Sequence, residues 1–305
     1  MQQYNCAVIL GATATGKTAL AVKLAHAHQG EIISADSRQV YRGLDLGTGK
    51  DLEEYGSVPY HLIDICDLNE EYTVFHFQRD VYRIFPRLIE KGAVPIIAGG
   101  TGLYLDAVLR SYALIPVPEN PGLRAELADK SLPELQEILL SLKQAVHNKT
   151  DLEQPVRLIR AIEIARYLQE HPEAAEKHRA QRPLILPKIY GIFFERTLLR
   201  ERIYRRLTAR IDAGMIEETE YIHNQGYSWE RLESLGLEYR FTARYLQGKI
   251  ASKEAFIEQL YPAICQFAKR QETWFRRMIK NGIQIEVLRP NGSTDGGVPL
   301  PDFLR

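Results

Sequence analysis

Gly11-Ala12-Thr13-Ala14-Thr15-Gly16-Lys17-Thr18 decides the fold class of this chain. The stretch fits the phosphate-cradling pattern G-x-x-x-x-G-K-[ST] at each fixed position. Residues 6–10 before it (CAVIL) read as a short buried strand, and residues 17–27 after it (KTALAVKLAHA) as a helix of good helix formers. A Gly-rich loop between strand and helix turns its backbone N–H groups inward at the positive end of a helix dipole. All eight residues therefore form a nest for a diphosphate or nucleotide. Lys17 reaches the terminal phosphates, and Thr18 offers a hydroxyl to Mg²⁺. The pattern specifies an anion. It leaves open which compound carries that anion and whether a phosphoryl group moves.

The bulk composition is that of an ordinary globular protein, with 305 residues, 45% hydrophobic and 26% charged. That length suits one large α/β domain, or a core with a smaller second domain. The formal net charge is zero, so no global field draws the chain to nucleic acid or membrane, and charge has to be judged locally. Cys6, Cys66 and Cys265 are odd in number and widely spaced, without C-x-x-C. That fits a reducing compartment and argues against a zinc site. No apolar run approaches about 18 residues, so no membrane span is expected. The chain enters strand character almost at once, which leaves no room for a signal peptide, and the expected location is the cytoplasm.

Working outward from the loop, residues 31–35 (EIISA) read as a second strand ending in Asp36-Ser37-Arg38-Gln39. In an open parallel sheet, ligands bind beyond the carboxyl ends of the strands, so Asp36 shares an edge with the loop. On residue type it is a metal-binding carboxylate, a general base or a helix N-cap. Residues 60–65 (YHLIDI) read as a third strand with Asp64 in or after it, and residues 73–91 as a helix capped by Thr73. Residues 93–98 (AVPIIA) form a buried strand running into Gly99-Gly100-Thr101-Gly102. Thr101 then either points its hydroxyl into the crevice or caps the next helix.

From about residue 113 to 182 the strands stop. Pro116, Pro118 and Pro121 mark a linker, and helices follow over 123–128, 132–146 and 156–168. The domains expected are a core of residues 1–112 and 183–305 and a helical insertion of 113–182. Arg157 and Arg160 lie on one helix face ahead of Glu163, where they are either a solvated face or a ligand surface. Strand character returns over 185–194. Residues 196–210 carry a basic stripe, Arg202, Arg206 and Arg210. A second basic helix carries Lys269, Arg270, Arg276, Arg277 and Lys280 around Trp274 and Phe275. Two such stripes in a neutral chain favour a polyanion. A last strand is expected over 283–288, then a tail.

Asn148-Lys149-Thr150-Asp151 fits a guanine-reading N-K-x-D pattern, but it follows a helix-like segment and the chain has no D-x-x-G. It reads as a loop. An ATPase would need a hydrophobic strand ending in a metal-binding Asp, for which Asp36 and Asp64 are the candidates. A small-molecule kinase with a helical lid stays open on these residues.

GATATGKT, ISADSRQVYRGLDLGTGK and GGTGLYL, together with RLIRAIEI at 157–164 and AKRQETWF at 268–275, resemble the tRNA dimethylallyltransferase (tRNA isopentenyltransferase) family over residues 6 to about 288. The resemblance implies an α/β P-loop core with a parallel sheet flanked by helices, plus a helical insertion that grips the tRNA anticodon stem-loop. It implies transfer of a dimethylallyl group from dimethylallyl diphosphate to N6 of the adenosine 3′ of the anticodon, with Mg²⁺ on Thr18. Asp36 would be the base and Thr101 a second catalytic residue. Lys17 would hold the diphosphate. The family's tRNA contacts map to Asp36, Ser37, Arg38, Gln39, Thr101, Arg124, Val156, Arg157, Leu158, Ile159 and Arg160, in a protein expected to be a monomer. Three departures stand out: Ala12 replaces the usual Pro, Thr15 replaces a frequent Ser, and Gly236-Leu237-Glu238-Tyr239 replaces G-x-G-Y. A related branch of the family uses free adenine nucleotides as acceptors.

Overall fold

The computed structural model describes residues 4–142, 153–180, 182–290 and 301. The segment 148–151, the last four residues of the helix expected over 132–146, and most of the tail lie outside the described residues. The chain divides into two compact units, Met1–Ser111 with Pro183–Arg305, and Tyr112–Arg182.

In the first unit β1 (Cys6–Gly11) is central because all six of its residues are buried, the signature of a parallel strand covered on both faces. It pairs with β4 (Val94–Gly99) on one side and β5 (Pro187–Ile192) on the other. Beyond them lie β2 (Gly30–Ser34), β3 (Tyr60–His61) and β6 (Glu286–Leu288). The six-stranded order is β3-β2-β4-β1-β5-β6, with every pairing parallel. The third strand is shorter than the expected 60–65, because Leu62 and Asp64 adopt positive φ of 63° and 55° and turn the chain off the sheet.

Alternation along β1 sends Ala7 and Ile9 to one face and Val8 and Leu10 to the other. The first face packs on α1 (Lys17–His28) and α8 (Arg196–Asp212), and the second on α2 (Val74–Glu90) and α3 (Gly102–Leu109). The long α12 (Lys253–Lys280) serves both: Phe256, Leu260, Ile264 and Ala268 join the first layer, and Phe275 and Met278 the second. A straight helix can do this only by passing the end of the sheet, and it passes at the turn carrying Gln271. Phe275, expected to mark an aromatic nucleic-acid surface, is instead fully buried core.

Three short helices between α8 and α12 carried no sequence expectation: α9 (Met215–Asn224), α10 (Trp229–Ser234) and α11 (Leu237–Leu246). They bury Ile222, Leu232, Leu235 and Tyr239 against Val40, Tyr41 and Leu44 of the loop after β2.

The second unit is helical among its described residues, with α4 (Pro121–Ala128), α5 (Leu132–Leu142), α6 (Pro155–Glu170) and α7 (Glu173–Ala180). Asn120 caps α4 by accepting from the Leu123 N–H at 3.0 Å, with Pro121 at the first turn. Leu123, Leu127, Leu135, Leu139, Leu158 and Ile162 form its own core.

Candidate active site

The loop after β1 bends through two left-handed positions, Ala14 (φ 61°) and Gly16 (φ 78°). Gly16 is the N-cap of α1 and has no side chain to cap it, so the first N–H groups of α1 are available to an anion. Thr15 ties the loop to itself by donating to the Ala12 carbonyl at 2.8 Å, and Lys17 Nζ reaches the same oxygen at 2.8 Å. Burial, aided by Arg206 and opposed by Asp36, pushes the Lys17 ammonium down to about 8. An incoming anion would favour its charged form.

Asp36 follows β2. Its Oδ1 accepts from the Arg38 N–H at 2.8 Å and the Gln39 N–H at 3.4 Å. It therefore organises a turn rather than capping a helix. Thr101 stands at the N-cap position of α3 but makes no side-chain cap there. Its Oγ1 instead accepts from the Ser37 N–H at 3.0 Å, while its own N–H donates to the Ala35 carbonyl at 3.2 Å. The second and fourth strands thus present Asp36 and Thr101 as one stitched edge. Asp36, Ser37, Arg38, Gln39, Thr101 and nest residues line a single cavity of about 730 Å³. Gln39 is committed internally: its Oε1 accepts from Ser34 Oγ and its Nε2 donates to the Gly49 carbonyl, each at 2.9 Å. Asp64 is no site residue; it pairs with Lys50, which is 1% exposed and also bonds Asp45 at 2.7 Å.

The α8 stripe turns inward. Arg202 Nε donates to the Ala14 carbonyl at 2.8 Å, Arg206 Nη2 hydrogen-bonds Thr13 Oγ1, and Arg210 meets Asp51 at 3.2 Å. Burial beside Arg210 pushes the Arg206 guanidinium down to about 9. The i, i+4, i+8 spacing had flagged this stripe, but not its target. Three other contributors had no such signal. Tyr55, from a 3₁₀ turn at Leu52–Tyr55, is buried and makes a side-chain hydrogen bond with Thr18. Glu238, at the start of α11, faces the cavity, and burial pushes its carboxyl up against the opposing pull of Arg210 and Arg206. Gln271 from α12 lines the same space.

The expected tRNA contacts of the second unit lie together on α4 and α6. Glu163, 2% exposed, accepts from Arg124 Nε at 3.2 Å and the Asn120 N–H at 2.5 Å, and pairs with Arg160. Burial alone would raise the Glu163 carboxyl; the hydrogen bonds from Arg124, Asn120 and Arg160 hold it below its ordinary value. Arg160 also donates to the Val117 carbonyl at 2.7 Å. Leu158 is fully buried, so its expected RNA contact is corrected to core packing, and Ile159 packs beside that core. Val156, 80% exposed, and Arg157 face solvent.

An all-parallel sheet with a Gly-rich loop after its first strand and a carboxylate after its second defines a P-loop α/β protein. Two family models match the chain, IPP transferase over residues 39–278 and Isopentenyl transferase over residues 4–56. A tRNA dimethylallyltransferase 2 of Treponema denticola is 63% identical over 93% of this chain and 95% of its own length. A tRNA dimethylallyltransferase of Treponema pallidum is 60% identical over 93% and 91%. The crystal structure of the full-length tRNA isopentenylpyrophosphate transferase from Bacillus halodurans superposes with a TM-score of 0.65 at 31% identity, covering 94% of this chain and 90% of that one. The chain belongs to the IPP transferase family, and it is a prenyltransferase.

Proposed function

We propose that the chain transfers the dimethylallyl group of dimethylallyl diphosphate to the N6 amine of the adenosine 3′-adjacent to a tRNA anticodon, releasing diphosphate. The observation that carries this reading is that the phosphate nest and the Asp36–Thr101 edge open into one cavity. Backbone N–H groups of residues 14–18, Lys17 and Arg206 hold the diphosphate and take up the charge that develops as it leaves. The N6 nitrogen attacks the allylic carbon, the carbon–oxygen bond to diphosphate breaks, and Asp36 accepts the N6 proton. Thr101 keeps Asp36 in register through Ser37. A stacked adenine cannot reach such a pocket, so the base leaves the anticodon loop to react.

Thr18 is the residue that would hold Mg²⁺. Among the described residues no group of three His, Cys, Asp or Glu side chains could cage an ion. That suits Mg²⁺, which keeps its water and binds through substrate phosphates; when bound it neutralises diphosphate charge. The helical unit serves the anticodon stem-loop through its exposed Val156 and Arg157. The protein acts in the cytoplasm as a monomer, and no helix among the described residues is long and apolar enough to cross a membrane.

The deciding experiment incubates the protein with Mg²⁺, labelled dimethylallyl diphosphate and either unmodified tRNA or AMP. Label mapped to the adenosine beside the anticodon is the expected result. Label in AMP alone moves the protein to the branch that acts on free nucleotides, and ATP hydrolysis without transfer overturns the reading.

A further inference from the structure

One buried side chain joins the two halves of the cavity. Gln271, 8% exposed, sits where α12 passes the carboxyl end of the sheet. Its Oε1 accepts from the Thr13 N–H at 2.9 Å, and its Nε2 donates to the Gly100 carbonyl at 2.9 Å. The partners lie 258 and 171 residues away in sequence. Thr13 belongs to the nest, and Gly100 precedes Thr101, whose hydroxyl holds the Ser37 N–H beside Asp36. The order Thr13–Gln271–Gly100–Thr101–Ser37 is therefore a continuous path of covalent and hydrogen bonds from donor site to acceptor site.

The fit is close on both sides. A Cβ on Gly100 would come within 2.5 Å of Gln271 Nε2, and one on Gly102 within 2.5 Å of the Trp274 indole. Gln271 and Trp274, one helical turn apart, thus clamp the Gly99–Gly102 turn. The amide has one satisfactory orientation. Flipped, it would set its NH₂ against the Thr13 N–H and its oxygen against the Gly100 carbonyl. A carboxylate at this position could accept from Thr13 but could not donate to Gly100.

We propose that Gln271 is a positioning residue that fixes the distance between the diphosphate nest and the Asp36–Thr101 edge, and so the approach of the N6 nitrogen to the allylic carbon. The inference rests on the prenyl-transfer reading of this cavity. It has two consequences. The Thr13 N–H is spent on Gln271, so the anion is cradled by the later amides of the nest. Loosening the link costs turnover more than affinity, since a displacement of about 1 Å between reacting groups can cost about 10²-fold.

The test uses the full-length protein with Gln271→Met, close in volume but without the amide, and Gln271→Glu. Turnover, KM for dimethylallyl diphosphate and for tRNA, binding of inorganic diphosphate by calorimetry, and melting temperature are compared. For Gln271→Met we expect turnover about 10- to 100-fold lower, diphosphate affinity and tRNA KM within about threefold, and a melting temperature near that of the parent. Turnover within twofold of the parent overturns the proposal. So does a parallel loss of turnover, diphosphate binding and tRNA binding, which would make Gln271 merely structural. If Gln271→Met melts early, Gln271→Glu decides. It retains the Thr13 bond and loses the Gly100 bond, so parental turnover in that variant is likewise fatal. Failure of the parent protein to bind inorganic diphosphate would instead bring down the nest reading, and this inference with it.

Discussion

Arg202 and Arg206 on α8 and Arg124 and Arg160 of the helical unit are similar residues on helical faces, yet their surroundings differ. The α8 pair donates to the nest backbone and the Thr13 hydroxyl, with the carboxylates of Glu238, Asp51 and Asp36 acting on Arg206 from across the cavity. The other pair is already matched by two carboxylates of its own unit, the buried Glu163 and the exposed Glu119. Spacing along a helix shows that cations share a face. It does not show whether their counter-charge is supplied by a ligand or by the protein, and that distinction separates a binding site from a structural clamp.

The comparison can be broken by substitution. The largest effect belongs to the catalytic edge: Asp36→Ala should lower single-turnover rates by about 10²–10⁴ while leaving tRNA binding, measured by filter retention, largely intact. Near-parental rates would remove Asp36 as the base. Next comes the core of the helical unit. Leu158→Ala should cost about 2–5 kcal/mol of stability in denaturant titrations, an effect a surface RNA contact could not produce.

Arg206→Gln and Arg160→Gln test the contrast directly. The first should raise KM for the prenyl diphosphate about 10- to 100-fold with little change in melting temperature, as expected for a lost charged hydrogen bond. The second should leave that KM alone and destabilise the protein by about 1 kcal/mol, because Glu163 loses one of its donors. Exchanged phenotypes would invert the assignment.

Lys17 adds a pH signature. Its ammonium is pushed down to about 8 in the free site. If, as proposed, the charged form holds the diphosphate, donor affinity should be full below that pH and fall as pH rises through it, by at most about tenfold per unit. Lys17→Arg should move that decline to higher pH in a KM-versus-pH profile. The smallest effect is expected at Val156, whose replacement by Ala should change stability by less than about 0.5 kcal/mol; only tRNA affinity could register it.

The parts legible in sequence were those with local causes. The Gly-rich loop announces itself because eight consecutive residues make it, and β1 and β4 because strands buried in the sheet are continuous apolar runs; β2 carries only a short apolar centre, Ile32–Ile33, between Glu31 and Ser34. Asp36 and Thr101 could be placed by the rule that parallel strands deliver their loops to one edge. The short α9, α10 and α11 were illegible, because six to ten residues with broken periodicity give little signal. Tyr55 was missed for a different reason, being an ordinary residue type that matters through what lies across the cavity; Glu238 stood out only as a departure from G-x-G-Y, with no role assigned to it.

The sequence by itself determined the Gly-rich loop between the first strand and the first helix, the parallel sheet and the edge that carries Asp36 and Thr101, since backbone curl and periodicity are properties of short stretches. The tertiary structure alone decided that the α8 arginines face the nest, that Phe275 is core, that Leu158 packs inside its unit and that Gln271 bridges Thr13 to Gly100. Those outcomes depend on helix α12 passing the end of the sheet and on which face each strand turns toward it. Contacts across 171 and 258 residues leave no trace in local spacing.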